Sequence, residues 1–225
     1  MRTILMTCAI GIKLLGDDGW KLDYDLSLKL HSAAAKSAYC IGNVTCMDVC
    51  VESVFENALS LLHTLEAFKI IIKCYNDKRK FQDALDAAIS ILHNIGENVN
   101  YAESEEVCNL EVEKVKSLLK GKSQDELSKM KKMKDEYKLA TMSIMGEVLP
   151  SLYFVNPQLF FRISLQMVVL TLENGVSKFS SFGFSALGSA LCYKEKNRMD
   201  NFPYHLGKLS ITLVENAHEK ELVPW

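Results

Sequence analysis

The sequence predicts an all-α fold of antiparallel helix hairpins stacked into a right-handed α-α solenoid, and three observations carry that expectation. The first is the stretch from Thr64 to His93, TLEAFKIIIKCYNDKRKFQDALDAAISILH. There Leu65, Phe68, Ile71, Ile72 and Tyr75 recur at the three-and-four spacing of one helix face. Asn76, Asp77, Lys78 and Arg79 break the pattern, and Phe81, Ala84, Ala88, Ile91 and Leu92 resume it. The second is a scarcity of breakers. With 4 Pro and 11 Gly among 225 residues the chain has room for long helices, whereas a tight all-β fold needs more turn residues. The third is that no segment alternates convincingly with the period of a strand.

Taken in order, residues 1 to about 15 read as one amphipathic helix ending at Gly16, with Trp20 as an apolar anchor after the Asp17-Asp18-Gly19 loop. From Leu22 a long helix follows, with the small residues Ala34, Ala35 and Ala38 near its end and Ile41-Gly42-Asn43 as its stop. Val44 to about Ala58 is the return helix, with Met47, Val51 and Val54 on its apolar face. The Thr64–His93 hairpin comes next and ends at Gly96; GENVNYAESEE is a loop. Val107 to Lys120 is a helix closed by Gly121, and Ser123 to Glu126 fits a capping box opening a short one. From Tyr137 the chain turns strongly apolar. Pro150 is expected to end or kink the helix there. Asn156-Pro157 starts the next, Asn174-Gly175 stops it, and Leu159 to Leu172 between them is a central buried helix. Residues 178–193 form a small-residue-rich helix, about 204–217 a last one, and EKELVPW a frayed tail.

KFQDAL stands where a tetratricopeptide repeat has its aromatic-x-x-Ala-Leu signature. Setting Gly42-Asn43-Val44 against Arg79-Lys80-Phe81 superposes two hairpins at a spacing close to that repeat's period of about 34 residues. The expected organisation is therefore one tetratricopeptide-like domain over 1–225. Its hairpins lie at about 22–58, 60–95, 107–148 and 157–193, with a final helix at 204–217.

At 25.3 kDa, with 48% hydrophobic and 24% charged residues, the chain has the composition of a folded protein. Its formal charge of -2 supplies no global drive toward nucleic acid or anionic membrane. The seven cysteines (8, 40, 46, 50, 74, 108 and 192) are an odd number, mostly in apolar helical runs, which fits free thiols and a reducing, cytoplasmic setting. Lys13 interrupts the apolar N-terminus, no small-x-small cleavage site follows, and the run is too short to span a bilayer.

The chemical motifs fail on context. Gly121-Lys122-Ser123 lacks the phosphate loop's earlier Gly, position 116 being Lys116, and a helix precedes it in place of a strand. Cys46 and Cys50 share a helix face, but no second Cys/His pair accompanies them for zinc, and His31, His63, His93, His205 and His218 are scattered. Ser185 in GFSALG misses the nucleophile-elbow spacing, and Ser117-Leu118-Leu119-Lys120 is an isolated S-x-x-K. Glu105-Glu106 reads as first-turn helix charge. No catalytic, cofactor-binding or metal residue is assigned, and the expected class is non-enzymatic.

The stretches AIGIKLLGDDGWKLDYDLSLKLHSAAAKSAYCIGN, FQDALDAAISILHNIG, LLKGKSQDELSKMKKMKDEYKLATMSIM, LYFVNPQLFFRISLQMVVLTLENGVSKFSSFGFSALGSALCY and YHLGKLSITLVENA cover nearly the whole chain in order. Together they resemble the helical, tetratricopeptide-like middle region of very large signalling proteins. Those proteins join a serine/threonine-kinase-like domain, an AAA-type predicted ATPase, this helical region, a GAF domain and often a histidine kinase. The chain departs from that pattern at Lys134-Asp135-Glu136, where the family has a Thr-Asp-Pro-like turn. The resemblance implies a regulatory arm coupled to a neighbouring ATPase or kinase, with no family catalytic residue to carry over.

The expected function is thus a non-catalytic module that binds a protein or peptide in a solenoid groove. One alternative is a small-molecule sensor with a pocket among Tyr153, Phe154, Phe160, Phe161, Phe182 and Phe184. Another, ranked lower, is nucleic-acid binding through Lys120–Lys138, where Lys129, Lys131, Lys132 and Lys134 cluster; its bland counterpart is a solvated helix end.

Overall fold

Helix ends in this chain are closed by residues that sit next to them in the sequence. Asp23 accepts a hydrogen bond from the Leu26 N–H, Asn43 from Cys46, Asp135 from Lys138 and Asn156 from Leu159, each capping a helix start. In the computed structural model, residues 1–97, 105–120, 126, 130–194 and 201–216 are described. Among them the chain is all-α, with eleven α-helices. The expected capping box at 123–126, apart from Glu126, and the tail lie outside the described residues.

The sequence reading treats 1–225 as one repeat domain; the contacts divide the chain into two compact units, Met1–Asn94 and Ile95–Trp225. The first unit holds α1 (Arg2–Leu15), the single turn α2 (Gly19–Leu22), α3 (Tyr24–Cys40), α4 (Val44–Asn57), a 3-10 turn (Leu61–Thr64), α5 (Leu65–Asp77) and α6 (Phe81–Asn94). α3 pairs with α4, α5 pairs with α6, and α1 and α5 both lie against α3. Ala34, Ala35 and Ala38 are buried on α3, where short side chains let neighbouring backbones approach. Cys8, Met47, Val51, Val54, Ala67 and Ile70 complete that core.

The two hairpins turn in the same way. After α3, Gly42 takes φ +75, its N–H bonds to the Tyr39 carbonyl, and the Asn43 N–H bonds to Ala38. After α5, Arg79 takes φ +56, its N–H bonds to Asn76, and the Lys80 N–H bonds to Tyr75. Both are Schellman closures, which satisfy the last free carbonyls of a helix. The second puts a side chain where glycine is at ease.

The second unit holds α7 (Glu105–Leu119), α8 (Glu136–Val155), α9 (Pro157–Asn174), α10 (Ser180–Lys194) and α11 (Phe202–Asn216). From α8 to α11 each helix packs on the next, and α7 packs on α9. α9 is the expected buried helix: Phe161, Leu165 and Val168 share one core with Val112 and Val115 of α7, Phe184 and Leu187 of α10, and Leu206 and Leu209 of α11.

Pro150 does not end its helix, which continues to Val155. A proline inside a helix costs about 3 kcal/mol. Val148, Leu149, Ser151 and Leu152 around it are buried, and each large apolar side chain among them contributes about 1.5–3 kcal/mol. Burial on both sides of the proline therefore outweighs the break.

Residues 131–133 are extended where a helix end was weighed. The Met133 N–H bonds to the Val176 carbonyl at 2.9 Å and the Val176 N–H to that of Lys131 at 2.8 Å, a lone parallel bridge. Gly175 makes the pairing possible, because at its φ of +103 a Cβ would stand 2.4 Å from the Lys131 carbonyl oxygen.

The paired turns yield a signed prediction. Arg79→Gly should raise stability by about 1 kcal/mol, the cost of a left-handed residue carrying a Cβ. Gly42→Arg should lower it by a similar amount. Urea midpoints of the two variants measure this, and an Arg79→Gly midpoint at or below that of the parent chain refutes it.

Candidate functional site

α5 lies more on α3 than on α4, and that asymmetry opens a groove. At one end α4 and α5 meet, with the Phe55 and Phe68 rings 4.8 Å apart. The connection there is latched by α2 and α3. Trp20 Nε1–H donates to Ser53 Oγ at 3.1 Å, while the Tyr24 hydroxyl accepts from the Leu59 N–H at 3.0 Å and lies 2.6 Å from His63 Nδ1. At the other end the Tyr39 hydroxyl of α3 donates to Asp77 Oδ2 at 2.6 Å, drawing the last turn of α5 toward α3. Desolvation, then the Asp77 carboxylate, holds the Tyr39 phenol well above its ordinary pKa.

Between these anchors α4 and α5 enclose a groove of about 350 Å³. Met47, Val51 and Phe55 of α4 and Ile71, Cys74 and Tyr75 of α5 make an apolar floor, with Asp48 and Glu52 on one rim and Lys78 on the other. The three charged residues are exposed, while Met47, Val51 and Cys74 are buried. The arrangement suits the docking of an apolar segment that carries charge along one side.

Sequence periodicity marks Met47, Val51, Ile71 and Tyr75 as apolar-face residues and treats them as core. Met47 and Val51 are core residues, and what periodicity misses is the groove beside them, where α5 lies closer to α3 and Tyr39 reaches Asp77. One signal was available: from residue 37 to residue 68 there is no Lys or Arg, while Asp48, Glu52, Glu56 and Glu66 all fall there.

The six aromatics of the alternative sensor pocket divide between interior and surface. Phe161 and Phe184 are core residues and Phe160 is buried, whereas Tyr153 and Phe154 are 60% and 72% exposed at the end of α8. Tyr153 and Phe160 touch across the α8–α9 turn, edge to face at 5.5 Å between centroids. Of the lysine region, Lys129 lies outside the described residues, Lys120, Lys131, Lys132 and Lys134 are exposed, and Lys138 pairs with Glu97.

Among the described residues no group of His, Cys, Asp and Glu is arranged to hold a metal ion, and no helix is long and apolar enough to cross a membrane. The seven cysteines are free thiols, with Cys8, Cys50, Cys74 and Cys108 buried and Cys40 and Cys192 exposed. Burial, followed by the neighbouring Cys46, pushes the Cys50 thiol up to about 12. Ser185 lies inside α10, where its carbonyl accepts the Ser189 hydroxyl; Gly121-Lys122-Ser123 lies outside the described residues. Comparison with protein-family models, curated proteins and solved structures finds no match.

Cys50 sets a pH signature for the unit that forms the groove. In the unfolded chain its thiol ionises near 9.0; in the folded chain it keeps its proton to about 12. Ionisation thus favours the unfolded state first, so stability is full below pH 9 and falls as pH rises toward 12, by up to about 1.4 kcal/mol per pH unit. Tyr39 adds a loss of the same sign above its ordinary 10.0. Urea midpoints between pH 8 and pH 10.5 should therefore fall less steeply for Cys50→Ala than for the parent chain. Parallel slopes would show that Cys50 does not carry the effect.

Proposed function

We propose that this chain is a non-catalytic protein-interaction module that docks a segment of a partner protein in the groove between α4 and α5. The observation that carries this reading is the apolar floor with charged rims, left open because α5 is tied to α3. The repeated hairpin closure at Gly42 and Arg79 supports a tetratricopeptide-like stacking of hairpins within the first unit, an arrangement in which such grooves serve binding. The resemblance to the helical arm of large signalling proteins supplies the partner class, a neighbouring ATPase or kinase domain whose state the occupied groove would regulate.

A second reading is favoured by one number. At about 350 Å³ the groove lies at the low end of the roughly 300–1,000 Å³ typical of small-molecule sites, so a small apolar effector is the rival occupant.

A photo-reactive amino acid placed at position 78, on the groove's rim, tests the proposal in cell extract. The expected outcome is cross-linking to one protein, reduced about tenfold by Ile71→Ser or Tyr75→Ala, as for residues central to an interface. Both variants should leave the circular-dichroism spectrum unchanged. Cross-links that ignore both substitutions would overturn the reading. A rise in melting temperature produced by a protein-free, low-molecular-weight extract, and lost in the same variants, would transfer the groove to the effector.

A further inference from the structure

The groove's two rims are unequal, and their difference selects an occupant. Along α4 the floor residues Met47, Val51 and Phe55 repeat every four residues, and one position further on Asp48, Glu52 and Glu56 do the same. Four residues of helix advance about 6 Å, so a row of carboxylates runs beside a row of apolar side chains for two turns. All three acids are exposed, and no ion pair or hydrogen bond engages their carboxylates among the described residues. No Lys or Arg occurs between Lys36 and Lys69 to neutralise them along the chain, and Lys69 is taken by Glu66. The opposite rim offers one cation, Lys78.

We propose that the groove takes an amphipathic helix whose apolar face carries an adjoining row of Lys or Arg residues spaced four apart. This rests on the reading of the groove as a protein-docking site and names the chemistry of the docked segment. The floor explains why the segment is a helix. Met47, Val51, Phe55 and Ile71 present no hydrogen-bonding group, and the backbone groups within α4 and α5 are spent inside their own helices. An extended segment laid there would bury unpaired amides, whereas a helix satisfies its own. The rim explains the charge. A basic row facing Asp48 and Glu52 on the rim, with Glu56 continuing the line along α4, meets carboxylates that no ion pair engages among the described residues, and an acidic row would add like charge to like. Such rim pairs act within a Debye length of about 8 Å at physiological salt, so the preference is salt-sensitive.

A display library of helical peptides, randomised on all faces and selected on the full chain, tests the inference. Enriched peptides should combine apolar residues at i, i+3, i+4 and i+7 with Lys or Arg at four-residue spacing beside them. Their affinity should fall about tenfold on the triple variant Asp48→Asn, Glu52→Gln, Glu56→Gln, and again between about 50 and 500 mM salt. These acids are exposed and repel one another, so the melting temperature should hold or rise slightly. Peptides that lose binding in Ile71→Ser but show no basic bias, or ignore the triple variant, would refute the charge inference and leave the groove standing. Peptides indifferent to Ile71→Ser, or no enrichment at all, would overturn the groove and the inference together.

Discussion

The alanine face of α3 is the constraint on which the first unit depends. Ala34, Ala35 and Ala38 are each no more than 1% exposed, and α1, α4 and α5 all gather on that helix. Side chains of one carbon let three helices share one neighbour at close range; a leucine at any of the three would force a separation at a cost of about 1–3 kcal/mol. Because α3 takes up α5 so closely, and because Tyr39 then holds Asp77, little of α5 remains to pack on α4. The groove is the geometric remainder of good packing elsewhere.

The second unit solves the same problem with bulk. Phe161, Leu165, Val168, Phe184 and Leu187 fill a shared core, and α9 is buried on several faces at once. A helix apolar on many sides reads in sequence as buried, and the Asn156-Pro157 start and Gly175 stop are fixed by local chemistry. Those elements were legible without coordinates. Three others were not, for physical reasons. Pro150 has a strong local rule against it, and the burial that overrides the rule is tertiary. The extended course of 131–133 is set by Val176 and by the bare Cα of Gly175, more than forty residues away. The aromatics at 153–184 share a helical spacing, but spacing does not reveal which side of each helix meets a core, and the structure splits them between interior and surface.

The turns after α3 and α5 reach the same closure from different residues. The hydrogen bonds after α5 match those after α3 atom for atom, with Arg79 in the place of Gly42. The residue differs and the closure does not, because in each turn two helical carbonyls need partners and neighbouring N–H groups supply them. A pattern scan that demands glycine at the helix stop passes over the second copy. The apolar stripes on either side still find it.

The acidic row on α4 is where local and global demands disagree. Carboxylates at four-residue spacing repel, at about 0.2–0.5 kcal/mol for each adjacent pair. Asp48–Glu52 and Glu52–Glu56 therefore cost together a sizeable part of 1 kcal/mol, and Glu56 also stands near the negative end of the helix dipole. A single lysine among them would relieve the repulsion, and no ion pair among the described residues compensates it. Elsewhere the same chain does set opposite charges three apart on its helices, as at Glu66–Lys69 and Glu113–Lys116. A charge row that weakens its own helix, has no ion pair among the described residues and borders an apolar groove is what the proposed basic segment would complement. On the proposed reading, local rules are broken where function needs them broken, and α4 breaks one along the edge of the groove.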